Sequence, residues 1–308
     1  MTPRYAFLGP EGTFTEAALL QIPGADAATR IPASNVNAAL YLVRSGEADA
    51  AMVPVENSVE GGVTATLDAI ATGQELRITR EVLVPISFVL VAARDMSLTD
   101  VRSVSTHGHA WAQCRRWAHS NIPTAEYVPG TSTAAAAVGL LESGAEYDAA
   151  ICSPLVARAR GLTVLADNIA DVPDAVTRFI LLERPGQLPA PTGTDKTTLV
   201  IPLPEDRPGA LMDILDQFGT RGVNLSRIES RPTGSFLGDY FFSIDAEGHV
   251  ADARVADALR GLHRLSPGLR FLGSYARADR SEYAVAGHTA DDAFQAADHW
   301  VNQIIGKQ

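Results

Sequence analysis

Short apolar runs alternate with amphipathic helical patterns through the first 185 residues. The apolar runs indicate buried strands at residues 5–8, 50–53, 101–105 and 149–152. The helical patterns cover residues 15–21, 35–44, 110–118 and 132–142. Several of them follow a Ser or Thr suited to capping a helix. This alternation is typical of βα units on parallel or mixed sheets, so we predict an α/β fold.

A stretch rich in Pro and Gly, ERPGQLPAPTGTD, interrupts this alternation at residues 183–195. It holds few large apolar side chains, so we predict a linker over residues 186–195. The next segment, residues 196–277, has the order strand, helix, strand, strand, helix, strand. The elements lie at residues 197–201, 209–220, 223–229, 239–244, 252–262 and 269–275. This βαββαβ order predicts a ferredoxin-like domain.

The C-terminal tail, residues 278–308, contains one amphipathic helical pattern. Phe294, Ala297 and Val301 follow one another at spacings of 3 and 4, and Thr289 is the predicted N-cap. A helix of this kind docks either on its own chain or on a second subunit. Both possibilities stay open at this point.

Acidic residues outnumber basic ones by 36 to 25, which gives a formal charge of −11. A chain of this charge repels phosphate backbones and anionic lipid surfaces, so neither nucleic acid nor a membrane is an expected partner. An anionic ligand is also repelled at long range. Its binding would therefore need local backbone donors or an arginine.

The chain has only two cysteines, Cys114 and Cys152, too few for a disulfide scaffold and in keeping with a reducing compartment. Its start, MTPRYAFLGP, has neither the apolar core of a signal peptide nor a membrane span. We therefore expect a cytoplasmic protein. His107 and His109 lie two residues apart without a well-spaced third ligand, so we expect no metal.

Polar loops follow several predicted strands, where open α/β sheets place their ligands. Residues 9–18, GPEGTFTEAA, combine glycines with a helix start whose amides can bind an anion, although an ordinary capped turn fits equally. Residues 53–68 place Glu56, Asn57 and Ser58 after a buried strand. This cluster is either a polar turn or part of a site.

The loop at residues 174–183 places Thr177 and Arg178 at the start of an apolar run. Arginine binds carboxylates in a bidentate fashion, and a threonine hydroxyl can donate to a leaving oxygen. A structural pair between arginine and an acid at a strand edge explains the same residues. A further segment, STHGHAWAQC at residues 105–114, adds Gln113.

Together these segments resemble the prephenate dehydratase family. The resemblance rests on GPEGTFTEAA, PVENSVEGGV, STHGHAWAQC, TSTAAAA at residues 131–137 and the Thr177-Arg178-Phe179 triplet, all in family order. It implies a hydro-lyase that needs no cofactor. The implied reaction converts prephenate to phenylpyruvate, with loss of water and carbon dioxide, in phenylalanine biosynthesis.

The resemblance also implies a domain plan. Residues 1–185 would form a catalytic domain of two lobes arranged like a periplasmic binding protein. One lobe would contain residues 1–78 and 166–185, and the other residues 79–165, with the active site in the cleft between them. This arrangement would place Thr177 beside the polar cluster that follows the buried strand.

Site residues are implied on the same grounds. The implied catalytic residues are Thr177, Glu56, Asn57 and Arg178, and the implied substrate-binding residues are Gly12, Thr13, Ser58, Gln113 and Phe179. Glu56 beside an anionic substrate would be either protonated or directed away, where it would orient Asn57. Arg178 would either clamp the substrate or fix Thr177.

Residues 196–277 resemble the ACT domain of this family, through GALM and ESRP segments. The resemblance implies feedback regulation by L-phenylalanine at this domain. The implied effector-binding residues are Gly209, Ala210, Leu211, Met212, Asn224, Glu229, Ser230, Arg231 and Pro232. Paired ACT sheets imply a homo-oligomer, either a dimer or a tetramer.

The chain departs from the family pattern at two places. Ala175 stands where many relatives carry Asn, and Gly108 and His109 stand where many carry Pro and Gln. Two other functions remain open from the sequence. One is arogenate dehydratase, whose substrate has an amino group in place of the keto oxygen, and the other is a non-catalytic binding protein that senses an amino acid.

Overall fold

The computed structural model describes residues 2–203, 205, 207–232 and 240–306. The chain divides into two compact units. The first unit contains Met1–Thr66 and Val82–Phe179, and the second contains Leu67–Glu81 and Ile180–Gln308. Residues 67–81, which the predicted domain plan assigns to the catalytic domain, thus group with the C-terminal residues.

Two sheets are formed by the first eleven strands. These strands are β1 (Arg4–Leu8), β2 (Thr29–Ala33), β3 (Ala50–Asn57), β4 (Gly61–Gly62), β5 (Arg77–Pro85), β6 (Val89–Ala92), β7 (Ser103–Thr106), β8 (Glu126–Pro129), β9 (Ala149–Cys152), β10 (Thr163–Ala166) and β11 (Val176–Glu183). The first sheet has the order β2-β1-β3-β11-β5 with β4 beside β3, and the second has the order β10-β6-β9-β7-β8. The predicted α/β class with two lobes is confirmed.

Helices connect the strands of both sheets. They are α1 (Phe14–Leu19), α2 (Val36–Ser45), α3 (Thr64–Ala71), α4 (Gly108–Asn121), α5 (Thr133–Gly139) and α6 (Pro154–Ala159). Side chains cap several of them, since Asn35 accepts a hydrogen bond from the Ala38 amide at α2 and Ser132 accepts one from the Ala135 amide at α5. These short polar residues at the strand ends explain where the helices begin.

The cores of the two sheets differ in the size of their side chains. In the first sheet, β1 runs parallel to β3, and Phe7 and Met52 lie opposite each other in full burial. In the second, the buried alanines Ala134, Ala136 and Ala137 of α5 join the same core cluster as the sheet residues. Small side chains let a helix approach a sheet closely, so α5 brings its first turn near the strand ends.

The chain crosses between the two sheets twice. The predicted first crossing, after residue 78, is wrong, because β5 remains in the first sheet as far as Pro85 and the second sheet starts with Val89. Pairing with β11 keeps this strand in the first sheet beyond the predicted boundary. The return crossing lies between Ala166 at the end of β10 and Val176 at the start of β11.

A third sheet lies in the second unit. Its strands are β12 (Asp195–Pro202), β13 (Leu225–Pro232), β14 (Tyr240–Glu247) and β15 (Arg270–Ala276), and its helices are α7 (Ala210–Gly219) and α8 (Ala253–Leu265). The order is β13-β14-β12-β15 with antiparallel pairs. Both the element order and the sheet order are ferredoxin-like, as predicted. Residue 239, the predicted start of β14, lies outside the described residues.

The predicted linker ends one residue too late. Asp195 is the first residue of β12 and is almost completely buried. Its carboxylate accepts hydrogen bonds from the amides of Thr192 and Gly193 and from the Thr192 hydroxyl. A buried carboxylate needs such donors, so this turn fixes the start of the strand.

The tail forms a helix, α9 (Asp291–Ile304). Thr289 is not its N-cap, because the cap position is Ala290 and the Thr289 hydroxyl instead donates to the carbonyl of Ala286. The start of α9 docks on its own chain, where the Asp291 carboxylate accepts a hydrogen bond from the first amide of α8. Further along, Trp300 is 63% exposed.

None of the helices within the described residues combines the length and the apolar character needed to cross a membrane.

Candidate active site

A cavity of about 510 Å³ lies within the first unit. Its walls include the starts of four helices: Phe14 and Thr15 of α1, Val36 of α2, Ala110 of α4 and Thr133 of α5. The first amides of a helix have no acceptor within the helix, and the helix dipole places partial positive charge there. The cavity therefore has the donors that an anionic ligand needs.

Charged side chains are scarce around this cavity. Among its lining residues in the described part of the chain, the acid is Glu60, the histidines are His107 and His109, and no lysine or arginine is present. An anion bound here would thus be held by main-chain amides and neutral polar groups. Apolar contact comes from the rings of Phe14, Phe88 and Phe179 and from other apolar residues.

A hydrogen bond joins two of the predicted catalytic residues in this cavity. The Asn57 amide nitrogen Nδ2 donates to Thr177 Oγ1 over 2.8 Å. Asn57 Oδ1 in turn accepts from the amides of Val59 and Glu60, which fixes the orientation of the side-chain amide. Since Thr177 Oγ1 accepts from Asn57, its own hydrogen can be donated to another acceptor.

Ser58 holds the two strand ends together. Its amide donates to the carbonyl of Val176, and its hydroxyl accepts from the Val176 amide, each over 2.9 Å. These bonds hold Val176, which precedes Thr177, next to Ser58, which follows Asn57. Ser58 itself is not among the cavity-lining residues, so its place is that of a positioning residue.

Glu56 and Arg178 form a pair on the other side of these strands. Successive side chains of a strand point to opposite faces, so Arg178 lies opposite to the face of Thr177 and Phe179. Its Nη1 lies 3.4 Å from Glu56 Oε2, and neither residue lines the cavity. The sequence left Glu56 either protonated beside the substrate or directed away from it. In the structure the Glu56 carboxylate is directed away from the cavity.

Gly12 and Thr13 cap α1. The Gly12 amide donates to Glu16 Oε2 over 2.6 Å, and Thr13 Oγ1 accepts from the Glu16 amide and donates to the Leu8 carbonyl. The Gly12 amide thus already has an acceptor, in a variant of the capping box in which the Glu16 carboxylate binds the residue before the N-cap. Thr13 lines the cavity and Gly12 does not.

Sequence reasoning missed Glu60, which connects several site residues. Glu60 Oε1 accepts from Gln113 Nε2 over 3.1 Å, and Glu60 Oε2 lies 2.5 Å from His109 Nδ1. Gln113 Oε1 is buried and has no hydrogen-bond partner among the described residues. The sequence signal for Glu60 was its position three residues after Asn57, but its partners lie about fifty residues further along the chain.

His107 caps α4 through its ring, since Nδ1 accepts from the His109 amide. Its ring stacks on the His109 ring with centroids 5.1 Å apart. Burial and the neighbouring His109 lower the pKa of His107, and Glu60 opposes this shift. No three His, Cys, Asp or Glu side chains within the described ranges are placed to hold a metal ion.

The predicted effector residues lie in the second unit. Gly209 is the N-cap of α7 with a φ of +86°, a conformation that favours glycine, and it precedes buried Ala210. Leu211 and Met212 are exposed on the first turn. The Asn224 carbonyl accepts from the Glu247 amide just before β13.

The ESRP residues end strand β13. Glu229 lies 3.4 Å from Arg227 Nη1, Ser230 pairs with Phe242 of β14, and Pro232 is the last strand residue. The Arg231 guanidinium makes two bonds, of 3.1 and 3.0 Å, to the carboxylate of Asp68 on α3. The side chain of Arg231 therefore already has an acidic partner within the second unit.

Thiol labelling of the two cysteines tests their burial. Cys114 and Cys152 are fully buried, and burial raises the pKa of both thiols to about 12. Because the thiolate is the reactive form, we expect neither to react with iodoacetamide at pH 8 in the native protein. After denaturation, mass spectrometry should find both labelled. Rapid labelling of either thiol in the native protein would contradict its burial.

Together the fold and the cavity define an α/β protein with a threonine hydroxyl in a cavity whose lining includes the starts of four helices. A model of the prephenate dehydratase family matches residues 5–187, which is more than half of the chain. The chain belongs to the prephenate dehydratase family.

Individual relatives extend this match along almost the whole chain. A prephenate dehydratase of Amycolatopsis methanolica is 45% identical over 302 residues, which cover 98% of this chain and 97% of that relative. The crystal structure of a prephenate dehydratase of Arthrobacter aurescens in complex with L-Phe is 70% identical, with a TM-score of 0.94 and coverage of 98% and 99%. A structure described as a novel type of quorum quenching acylase is 32% identical, with a TM-score of 0.78 and coverage of 90% and 100%.

Proposed function

We propose that the chain converts prephenate to phenylpyruvate in phenylalanine biosynthesis. Prephenate is a dianion, and with one proton it gives the phenylpyruvate anion, carbon dioxide and water. The ring hydroxyl leaves as water, the bond to the ring carboxylate breaks, and its electron pair completes the aromatic ring. The proposal rests on the hydrogen bond that Asn57 donates to Thr177 in a cavity whose lining includes helix N-termini.

In this proposal Thr177 assists the departure of the ring hydroxyl. Its hydrogen is donated to the leaving oxygen, and Asn57 Nδ2 stabilises the negative charge that develops on Thr177 Oγ1. A threonine is a weak acid, so proton donation is partial in the transition state; solvent supplies the one proton that the balanced reaction consumes, and Thr177 ends the turnover as a neutral hydroxyl. Glu56, Arg178 and Ser58 act as positioning residues for this pair, because they hold its two strands from outside the cavity.

The substrate carboxylates bind at the helix starts. Main-chain amides at the beginnings of α2 and α4, with the neighbouring Ser and Thr hydroxyls, supply the donors. Apolar rings cover the cyclohexadiene, and this low-polarity surrounding favours loss of a carboxylate as neutral carbon dioxide. Such donors fit a dianion without any lysine or arginine.

An assay of the purified protein with prephenate tests this function. We expect phenylpyruvate to form, and arogenate assayed in parallel decides between the two substrates. Binding of prephenate without turnover would favour the alternative of a non-catalytic binding protein. The assay is needed because a fold alone does not specify a reaction, as the related acylase illustrates.

We also propose that residues 196–277 form an ACT domain that binds L-phenylalanine and lowers activity. The ferredoxin-like fold supports this, as does the complex of the 70% identical relative with L-Phe. Leu211 and Met212 would contact the phenyl ring, and Glu229 or a backbone carbonyl would accept from the ammonium group. The effect on the catalytic residues would come from different affinities of two states for the effector.

Asp68 offers a test of how this regulation works. Its carboxylate accepts two hydrogen bonds from Arg231 of the proposed effector strand. Asp68 also lies on α3, and Ala65 at the start of this helix lines the cavity. We expect Asp68→Asn to raise the phenylalanine concentration for half inhibition about tenfold, with kcat in its absence changed less than twofold. Glu75→Gln, in the same segment but paired with Arg77, is the matched control.

Unchanged inhibition of the Asp68→Asn variant would show that this ion pair takes no part in regulation. If equilibrium dialysis finds no phenylalanine bound to the wild-type protein at millimolar concentration, the regulatory proposal as a whole is wrong.

Further features of the chain remain proposals. A homo-oligomer, dimer or tetramer, would follow from pairing of ACT sheets, and light scattering of the purified protein would measure it. Two free, buried thiols support a location in the reducing cytoplasm. Limited proteolysis would test the proposed domain boundaries, which are a catalytic domain over residues 1–185, the ACT domain and a tail over residues 278–308.

A further inference from the structure

Two crossings connect the first sheet to the second, one between β5 and β6 and the return crossing between β10 and β11. The crossings are hydrogen-bonded to each other at two points. The Ile86 amide donates to the Ala175 carbonyl over 2.7 Å. The Ile169 amide donates to the Phe88 carbonyl over 3.1 Å. A change in the angle between the two sheets must be absorbed by these crossings, so they form a hinge.

The return crossing has a defined backbone conformation. Asn168 and Asp174 adopt left-handed φ angles of 51° and 63°. Apart from glycine, Asn and Asp are the residues that adopt this region most readily. Asp171 lies midway between them and six residues before Thr177. The segment that leads to Thr177 is therefore a shaped turn with Asp171 at its centre.

Asp171 is bonded into the middle of helix α4. Its carboxylate accepts hydrogen bonds from the amides of Arg116 and Trp117, over 2.8 and 2.9 Å. Its own amide donates to the Gln113 carbonyl over 2.6 Å, and its carbonyl accepts from Arg116 Nη2 over 2.8 Å. In a regular helix the Trp117 amide would donate to the Gln113 carbonyl. Asp171 thus binds both members of this helical step.

These contacts hold the part of α4 that lines the cavity. His109, Ala110 and Gln113 are lining residues, and all three lie on the N-terminal side of the amides that Asp171 binds. Asp171 is not among the described lining residues. Its side chain is only 9% exposed, so water competes little for its hydrogen bonds. Asp171 therefore fixes the α4 wall relative to the strand that carries Thr177.

We propose that Asp171 is a positioning residue for the dehydration, which aligns the Thr177 hydroxyl with a substrate held at α4. This inference rests on the proposed function, in which the start of α4 binds a substrate carboxylate and Thr177 donates to the leaving hydroxyl. A misplacement of about 1 Å can slow a reaction roughly 10²-fold. Without the Asp171 carboxylate, α4 and the return crossing can shift against each other, so bound prephenate is poorly aligned.

Steady-state kinetics of Asp171→Ala with prephenate test this inference. We expect kcat to fall about 10–100-fold, because the acceptor of two α4 amides is lost. Asp171→Asn keeps one acceptor oxygen, so its kcat should lie between those of Asp171→Ala and the wild type. In a Thr177→Ala background, Asp171→Ala should lower kcat by less than about threefold, since no hydroxyl is left to align.

Asp148→Ala is the matched control. Asp148 also accepts hydrogen bonds from two backbone amides, those of Arg102 and Ser103, but it holds the start of β7 and is not among the described lining residues. Its loss should lower thermal stability, as the loss of Asp171 does, with kcat changed less than about twofold. Circular dichroism and thermal unfolding verify that each variant is folded at the assay temperature.

Three results would overturn the inference. The first is a wild-type kcat in Asp171→Ala or, where that variant does not fold, in Asp171→Asn. The second is an additive loss of kcat in the double variant with Thr177→Ala, and the third is an equal loss in Asp148→Ala. Failure of the proposed function looks different, because the wild-type protein would then form no phenylpyruvate. That result would overturn both proposals.

Discussion

Replacing Thr177 with alanine should lower kcat for prephenate by about 10²–10³, with a much smaller change in KM. This is the usual effect of losing one donor or acid that acts in the transition state. The Thr177 hydroxyl is the group that receives the Asn57 hydrogen bond and keeps a hydrogen to donate. Steady-state rates of phenylpyruvate formation measure the loss.

Thr177→Ser is the matched control, because it keeps the hydroxyl and removes only a methyl group. It should retain at least a tenth of the wild-type kcat, whereas Thr177→Val should resemble Thr177→Ala. Circular dichroism and thermal unfolding would verify that each variant is folded. A Thr177→Ala enzyme with near-normal kcat would disprove the role given to this threonine.

Replacing Arg227 with leucine should destabilise the third sheet by about 3–5 kcal/mol, the range found when a buried ion pair loses one partner. Asp245 is fully buried, and Arg227 binds it through Nε over 2.9 Å and through Nη2 over 3.3 Å. The same guanidinium donates to Ser243. Leucine leaves the Asp245 carboxylate buried without its cation.

Hydrogen exchange of β14 peptides, followed by mass spectrometry, measures this loss within the second unit. The amides of Tyr240–Glu247 should exchange about 10²–10⁴ times faster in Arg227→Leu. Arg264→Leu, an exposed arginine on α8, is the control and should exchange at the wild-type rate. Adding Asp245→Leu to Arg227→Leu should restore much of the stability, since it removes the buried charge that has lost its guanidinium.

Long, regular elements were predictable from the sequence alone. The apolar run at residues 149–152 coincides with β9, and the helical pattern at residues 35–44 differs from α2 by one residue at each end. Both signals are local. The continuous apolar run of β9 reflects burial on both faces of the strand, and Asn35 caps the helix that begins at the next residue. The ferredoxin-like order followed from the same kind of pattern.

Errors arose where the outcome depends on distant contacts. Pro85 ends β5 in the first sheet because of its strand neighbours. The error at Thr289 has a local cause instead, because its hydroxyl donates to the carbonyl of Ala286, three residues earlier. The contact of Asn57 with Thr177 was expected from the family resemblance, not from the residues alone. Glu60 was overlooked because its partners lie on a helix of the other sheet.

Main-chain donors at the cavity have an evolutionary consequence. One mutation can delete a guanidinium or an ammonium, but only proline removes a backbone N–H. Most substitutions at the lining positions therefore alter the shape of the cavity and leave its backbone N–H donors in place. If prephenate binds at these helix starts as proposed, the affinity for carboxylates depends on the backbone fold more than on any single side chain of the lining.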